Sequence, residues 1–248
     1  LPPAPLSMRQ VLLCGAAIVT VSMGIRHGFG LWLQPVTMER GWSRETFAFA
    51  IAVQNLAWGV MGPITGAIAD RWGAFRVLVA GSVLYAAGLV VMGMASSGAG
   101  FLGGAGVMLG MAQSGTTYAI VYGVIGRNVA PEKRSWAMGV AAAAGSFGQF
   151  LMVPIEGGLI GGIGWQNALY VLALVALVIV PLAFGLREPP RGAVVASEQR
   201  MGAALREAFG HPSFLLLTAG YFVCGFQVVF IGVHLPSYLK DHGIAPGV

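Results

Sequence analysis

The sequence predicts an all-α integral membrane protein, a bundle of seven transmembrane helices. Three observations carry that prediction. First, 56% of the 248 residues are hydrophobic and only 9% are Asp, Glu, Lys or Arg, whereas a soluble globular domain is about one quarter charged. Second, the apolar residues come in runs matching the roughly 20 helical residues that span a bilayer core. Third, the charged residues fall in the short gaps between those runs. The 38 glycines follow no three-residue period. They accompany too much apolar surface for disorder, so a collagen and a disordered chain are excluded together with the soluble domain.

Spans are expected at 11–35, 46–69, 77–95, 100–126, 135–155, 165–185 and 213–238. The uncharged stretch 77–126 is too long for one helix, and the turn-prone Ser96-Ser97-Gly98-Ala99-Gly100 segment divides it. The first span holds Arg26, lacks a small-residue cleavage site and exceeds a signal peptide's apolar region, so it reads as a membrane helix. Orientation follows from the basic residues. Arg9, Arg71, Arg76, Arg127, Lys133, Arg134, Arg187, Arg191, Arg200 and Arg206 share one side of the membrane, against Arg40, Arg44 and Lys240 on the other. The N-terminus is therefore expected in the cytoplasm, Val248 outside, and the protein in the inner or plasma membrane.

Residues 186–212 form the one long connection, with Pro189-Pro190, four Arg and three Glu. It reads as a cytoplasmic linker containing a short amphipathic helix. Residues 1–185 then make a six-helix transmembrane bundle, and 213–248 a seventh helix and outer loop beginning a second, incomplete bundle. The start at Leu1 and the stop in a short loop read as a fragment of a transporter built from repeated bundles. Cys14 and Cys224 each lie inside an apolar run and read as packing residues. Gly24/Gly28, Gly62/Gly66, Gly106/Gly110 and Gly158/Gly162 are spaced one turn apart, which lets helices pack closely in lipid.

The 2–3 loop reads Gly66-Ala67-Ile68-Ala69-Asp70-Arg71-Trp72-Gly73-Ala74-Phe75-Arg76. The glycines suit close approach and a tight turn. Asp70 can face a helix N-terminus, and Arg71 can pair with a carboxylate. This loop resembles the G-x-x-x-D-R-x-G-R-R/K signature of the major facilitator superfamily. Ala74 and Phe75 depart from it, and only Arg76 keeps the basic ending. The resemblance implies the superfamily fold, six helices and then a second bundle. It also implies a conformational latch of Gly66, Asp70, Arg71, Gly73 and Arg76 that joins the two halves in the outward-open state.

Three further segments look like the monocarboxylate transporter and oxalate:formate antiporter branch. They are Arg26-His27-Gly28-Phe29-Gly30 through Gln34-Pro35 and Gly41 to Thr46; Pro131-Glu132-Lys133-Arg134 with the small-residue run Ala137 to Gly148; and His234-Leu235-Pro236-Ser237-Tyr238 through Gly243. Pro154-Ile155-Glu156-Gly157-Gly158 partly resembles the glycine-proline motif of drug:proton antiporters, although Val153 stands where that motif has glycine. A kinked, small-residue helix end is the alternative reading.

Ionisable residues within a span are functional candidates by default. Arg26 has no Asp or Glu at i±3 or i±4, and an unpaired guanidinium facing a cavity attracts a carboxylate. A structural pair with a carboxylate of the absent half is the competing reading. Ser114, Tyr118 and Tyr122 are expected on one face of helix 4, and Gln227 and His234 on one face of helix 7. The superfamily resemblance implies that helices 1, 4 and 7 line the cavity, which favours Tyr118, Tyr122 and Gln227. Asn55 in helix 2 and Gln149 in helix 5 are weaker substrate-binding candidates, with interhelical hydrogen bonding preferred. His234 is a proton-sensitive candidate near the outer interface. Glu156 reads as solvated at the outer end of helix 5.

No phosphate-cradling glycine loop, metal cluster or nucleophile–base pair is present in the sequence. The expectation is a non-enzyme without cofactor or metal. It is a secondary active transporter of small monocarboxylate-like anions, working by proton symport or anion exchange with alternating access. Its expected partners are the anion, with protons as a candidate second solute, the bilayer and the absent C-terminal bundle, and no nucleic acid. A drug:proton antiporter is the alternative within transport. A seven-helix receptor is the alternative outside it, disfavoured by the sidedness of the N-terminus and the absence of a lysine inside the last helix.

Overall fold

The computed structural model describes residues 6–188 and 201–243. Helix α1 (Met8–His27) starts at Ser7, whose Oγ accepts from the Gln10 N–H at 3.2 Å. A single non-helical residue, Gly28, separates it from α2 (Phe29–Arg40). Ser43 caps α3 (Arg44–Trp72), which stops at Gly73, where φ is +90°. That left-handed value favours glycine and turns the chain directly into α4 (Ala74–Met94).

The fourth rod is segmented into α5 (Gly98–Phe101), a π-helical stretch (Leu102–Met108), α6 (Leu109–Thr116) and α7 (Tyr118–Asn128). There follow α8 (Pro131–Ile163), α9 (Trp165–Leu177), α10 (Ile179–Phe184), α11 (Met201–Gly210) and α12 (Pro212–Asp241). Met8–Arg40, Arg44–Trp72, Ala74–Met94, Pro131–Ile163, Trp165–Phe184 and Pro212–Asp241 are long and apolar enough to cross a membrane. The chain divides into two compact units, residues 1–189 and 190–248.

Each expected span contains a helix, but two run well past their predicted ends. The first continues through Pro35 to Arg40, and the fifth through Pro154 and four glycines to Ile163, where Gly164 at φ +81° ends it. Glycine disfavours helix by only about 1 kcal/mol, and in lipid every backbone polar group must be satisfied within the protein. Glu156 is therefore an interior position of α8, and it is fully buried. This corrects the expectation that it is solvated.

The fourth span departs in the other direction. Thr117 is extended (φ −110°, ψ −164°), so the helical register breaks between Ser114 and Tyr118. The expected three-residue face is reduced to Tyr118 and Tyr122, whose rings lie 5.5 Å apart.

Within the first unit, α1 packs most extensively on α8, backbone against backbone. A β-carbon at Gly24 would overlap Met152 and the Gly148 carbonyl, and one at Gly148 would overlap Thr20 O. Gly106 and Gly110 sit similarly against Ala50 and Gln54 of α3. Among the described residues, Gly62, Gly66, Gly158 and Gly162 meet nothing within 4 Å. Two of the four expected glycine pairs therefore pack helix on helix here. Gln54, buried next to the π-helical stretch, donates Nε2 to Ala105 O at 2.8 Å.

Candidate functional site

Arg26 lies in the last turn of α1, just before the Gly28 break. Asn55 and Trp58 are three apart on α3 and so face it together. The Asn55 amide is held by its own helix, because Nδ2 donates to Ile51 O at 2.7 Å. That turns Oδ1 outward, where it accepts from Arg26 Nη2 at 2.6 Å. The Trp58 ring lies 4.7 Å from Arg26 Cζ and offers its negative face to the cation. Arg26 Nε is buried, with no hydrogen-bond partner among the described residues.

Among the described residues, no carboxylate pairs with Arg26. A neutral acceptor and a π face fix the guanidinium in place and leave its charge uncompensated. A planar anion, accepted bidentately, is the chemical complement of such a group.

Behind this site lies a buried polar group that the sequence reading did not single out. Tyr85, fully buried on α4, donates to Ser22 O at 3.3 Å, and Ser22 Oγ lies 3.0 Å from Thr116 Oγ1. The Tyr85 phenol is within electrostatic reach of both Arg26 and Glu156. Glu156 leaves a plain sequence signal. It is the one Asp, Glu, Lys or Arg between Arg134 and Arg187.

The other expected substrate residues are distributed differently. The Tyr118 hydroxyl occupies the place of a β-carbon at Gly145, so this tyrosine packs on α8. The Tyr122 ring lies tilted beside it. Gln149, one turn beyond Gly145, is half-buried. The contacts of Arg26 join it to Asn55 and Trp58, and none of them reaches Tyr118, Tyr122 or Gln149. In the second unit, Gln227 and His234 lie two turns apart on the continuous helix α12, and the Phe230 ring is 5.0 Å from the His234 ring.

A charged cluster forms at the opposite end of α3. Arg127, in the last turn of α7, grips Glu188 with Nε and Nη2, both at 3.0 Å, and reaches Asp70 Oδ1 with Nη1 at 3.0 Å. Asn128 Nδ2 adds a 2.8 Å bond to Glu188. The carboxylate partner expected for Arg71 is a correction: Arg71 stacks over Trp72 at 5.5 Å, and Arg127 takes both carboxylates. Arg71 is exposed at the helix end, whereas Arg127 projects from α7 between α3 and the residues after α10. Gly73 makes the turn, Gly66 has open space beside it, and Arg76 is exposed on α4.

A bundle of apolar helices with an uncompensated guanidinium inside it and an ionic cluster at one end is the build of a membrane transporter. The sequence matches the Major Facilitator Superfamily over residues 12–248, and the chain belongs to that family. That family is one of membrane transporters, which are not enzymes, and six described helices of this chain are long and apolar enough to cross a membrane. It is 31% identical to Monocarboxylate transporter 11 of Mus musculus over 92% of this chain and 51% of that protein. An MFS-type efflux pump of Mycolicibacterium smegmatis is 26% identical over 77% of this chain and 48% of the pump. The chain spans about half the length of the curated relatives it matches. A bacterial homolog of the human lysosomal transporter Spinster shares the fold, with a TM-score of 0.66 and 20% identity over 96% of this chain and 57% of that one.

Proposed function

We propose that the protein is a secondary active transporter of small organic anions, monocarboxylate-like in size and charge. The observation that carries this reading is Arg26, partly buried, fixed by Asn55 and Trp58, and without a carboxylate partner among the described residues. The similarity to Monocarboxylate transporter 11 supports it. Residues 1–185 are read as the first bundle, 186–212 as the linker and α12 as the opening helix of the second. The N-terminus is read as cytoplasmic, and the membrane as the plasma or inner membrane.

The similarity to an efflux pump favours a second reading, export of lipophilic cations. Competition separates the two. In proteoliposomes of the full-length protein, uptake of labelled lactate should be inhibited by other short monocarboxylates and untouched by ethidium. Inhibition by ethidium, with no mutual competition among the acids, would support the pump instead.

The cluster of Asp70, Arg127, Glu188 and Asn128 is read as the latch that biases one conformational state, with Gly66, Gly73, Arg71 and Arg76 around it. Arg127→Ala leaves the Glu188 carboxylate, whose side chain is 8% exposed, without its bidentate partner. Turnover should fall roughly tenfold, equivalent to about 1.4 kcal/mol, in Arg127→Ala and in Asp70→Asn. Arg71→Ala should have a smaller effect. Substrate affinity should stay within about twofold throughout, because the cluster does not touch Arg26. A raised dissociation constant with unchanged saturated rate would refute the latch.

A further inference from the structure

Glu156 is fully buried. Its relative accessibility is 0%, and among the described residues neither carboxyl oxygen has a hydrogen-bond partner. The carboxyl fills the notch left by the missing side chain of Gly28, where a β-carbon would overlap Oε2. Gly28 is the one-residue break between α1 and α2, two residues beyond Arg26 and so about 3 Å further along the helix axis. The carboxyl and the guanidinium are thus at nearly the same depth but on different sides of the first rod, since Arg26 turns to α3 and Gly28 to α8.

An isolated carboxylate cannot remain ionised in such a notch, because burying an unpaired charge carries a large desolvation penalty. The notch therefore accepts the neutral acid and rejects the anion. The titratable and charged groups on the described elements around Glu156 are Arg9, Cys14, Arg26 and His27 on α1, Glu39 and Arg40 on α2, Arg76 and Tyr85 on α4, Tyr118, Tyr122 and Arg127 on α7, and Tyr170 on α9. Of these, Arg40 lies over Trp165 and Glu39 accepts from Trp165 Nε1. Arg127 is engaged by Asp70 and Glu188, and Tyr170 packs on Gly93. The Tyr85 phenol is in electrostatic reach of both Glu156 and Arg26.

We propose that Glu156 is the proton-binding site that couples proton movement to anion movement at Arg26. The inference rests on the anion reading given above. With anion and proton both bound, Arg26 is neutralised by the solute and Glu156 is neutral in the Gly28 notch. When the anion leaves, the Glu156 O–H breaks and its proton passes to water on the same side. The new carboxylate leaves the notch and becomes the counter-charge available to Arg26. The loaded and the empty carrier then bury the same net charge, so each can pass between its two open states without stranding an unpaired ion in lipid. An anion-loaded carrier that keeps its proton can still exchange one anion for another, but net transport needs the proton to leave.

Two measurements on the full-length protein test this. The first is infrared spectroscopy at mildly acidic pH, where Glu156 holds its proton whether or not an anion is bound. A protonated carboxylic acid carbonyl band should be present in wild type and missing from Glu156→Gln, which is isosteric with the neutral acid and should melt at the wild-type temperature. Absence of any such band in wild type overturns the site, whether or not the variant folds and whatever the solute.

The second measurement is transport in proteoliposomes with labelled lactate as the probe. A one-unit inward pH gradient should give wild type about tenfold accumulation, the ratio for one proton per anion. Glu156→Gln should show no gradient-driven accumulation and no lactate-dependent proton flux, yet keep lactate–lactate counterflow within about twofold of wild type. Equal gradient-driven uptake in variant and wild type overturns the coupling role. Loss of counterflow in a variant with unchanged melting temperature also overturns it, because the residue would then serve the anion site. Absence of lactate counterflow in wild type counts against the anion reading, and the infrared result still decides the proton site.

Discussion

Arg26→Ala in the full-length protein should abolish measurable binding of small carboxylates while leaving an inserted, folded molecule. The guanidinium is held by one hydrogen bond to Asn55 and by the Trp58 face, both supplied by α3. Removing it deletes a charge that is not balanced by any carboxylate among the described residues, so little stability should be lost. A bound anion deprived of a charged hydrogen-bonding partner in a buried site loses about 2–4 kcal/mol, or roughly 30- to 1,000-fold in affinity. Arg26→Lys should recover only part of this, since an ammonium restores the charge without the planar fork. Anion binding and thermal unfolding measured on wild type and both variants decide the matter. Unchanged anion affinity in Arg26→Ala would remove Arg26 from the substrate site. A drop in melting temperature without an affinity change would instead identify Arg26 as half of a structural ion pair.

The second large effect is expected at the seam between α1 and α8. A β-carbon at Gly148 would overlap the carbonyl oxygen and come within 2.8 Å of the carbonyl carbon of Thr20. Those are backbone atoms of a packed helix and cannot swing aside as a long side chain could. Gly148→Ala should therefore destabilise the protein by about 3 kcal/mol, at the upper end of overpacking penalties, despite the better helix propensity of alanine. Gly158→Ala, ten residues along the same helix and with nothing within 4 Å, is the matched control. Its stability should stay within about 0.5 kcal/mol of wild type. Thermal unfolding in detergent provides the comparison, and equal melting temperatures for the two variants would show that α1 and α8 do not meet at Gly148.

Much of this architecture is written in linear features. Long uncharged runs mark the helices because a bilayer admits few charges and demands internally satisfied backbone. The 2–3 loop motif, read together with the segments around Arg26 and His234, pointed to the superfamily that the family match establishes. Arg26 was legible as a candidate because a lone cation in an apolar run is conspicuous without any knowledge of its neighbours.

What stayed hidden depended on partners distant in sequence. Whether Glu156 is solvated or buried is decided by Gly28, 128 residues away, whose missing side chain leaves the notch the carboxyl fills. Whether Arg71 or Arg127 holds Asp70 is decided by where α7 ends and by Glu188 after α10. The face shared by Ser114 and Tyr118 existed only on an unbroken helix, and the extended Thr117 removes it. The sequence by itself determined the membrane spans, the family and the candidate cation, because each rests on the local chemistry of a residue and its near neighbours. Tertiary structure alone decided which ionisable groups are paired, which are stranded and where helices break. Those outcomes depend on electrostatics and packing between elements, which no periodicity along one chain encodes.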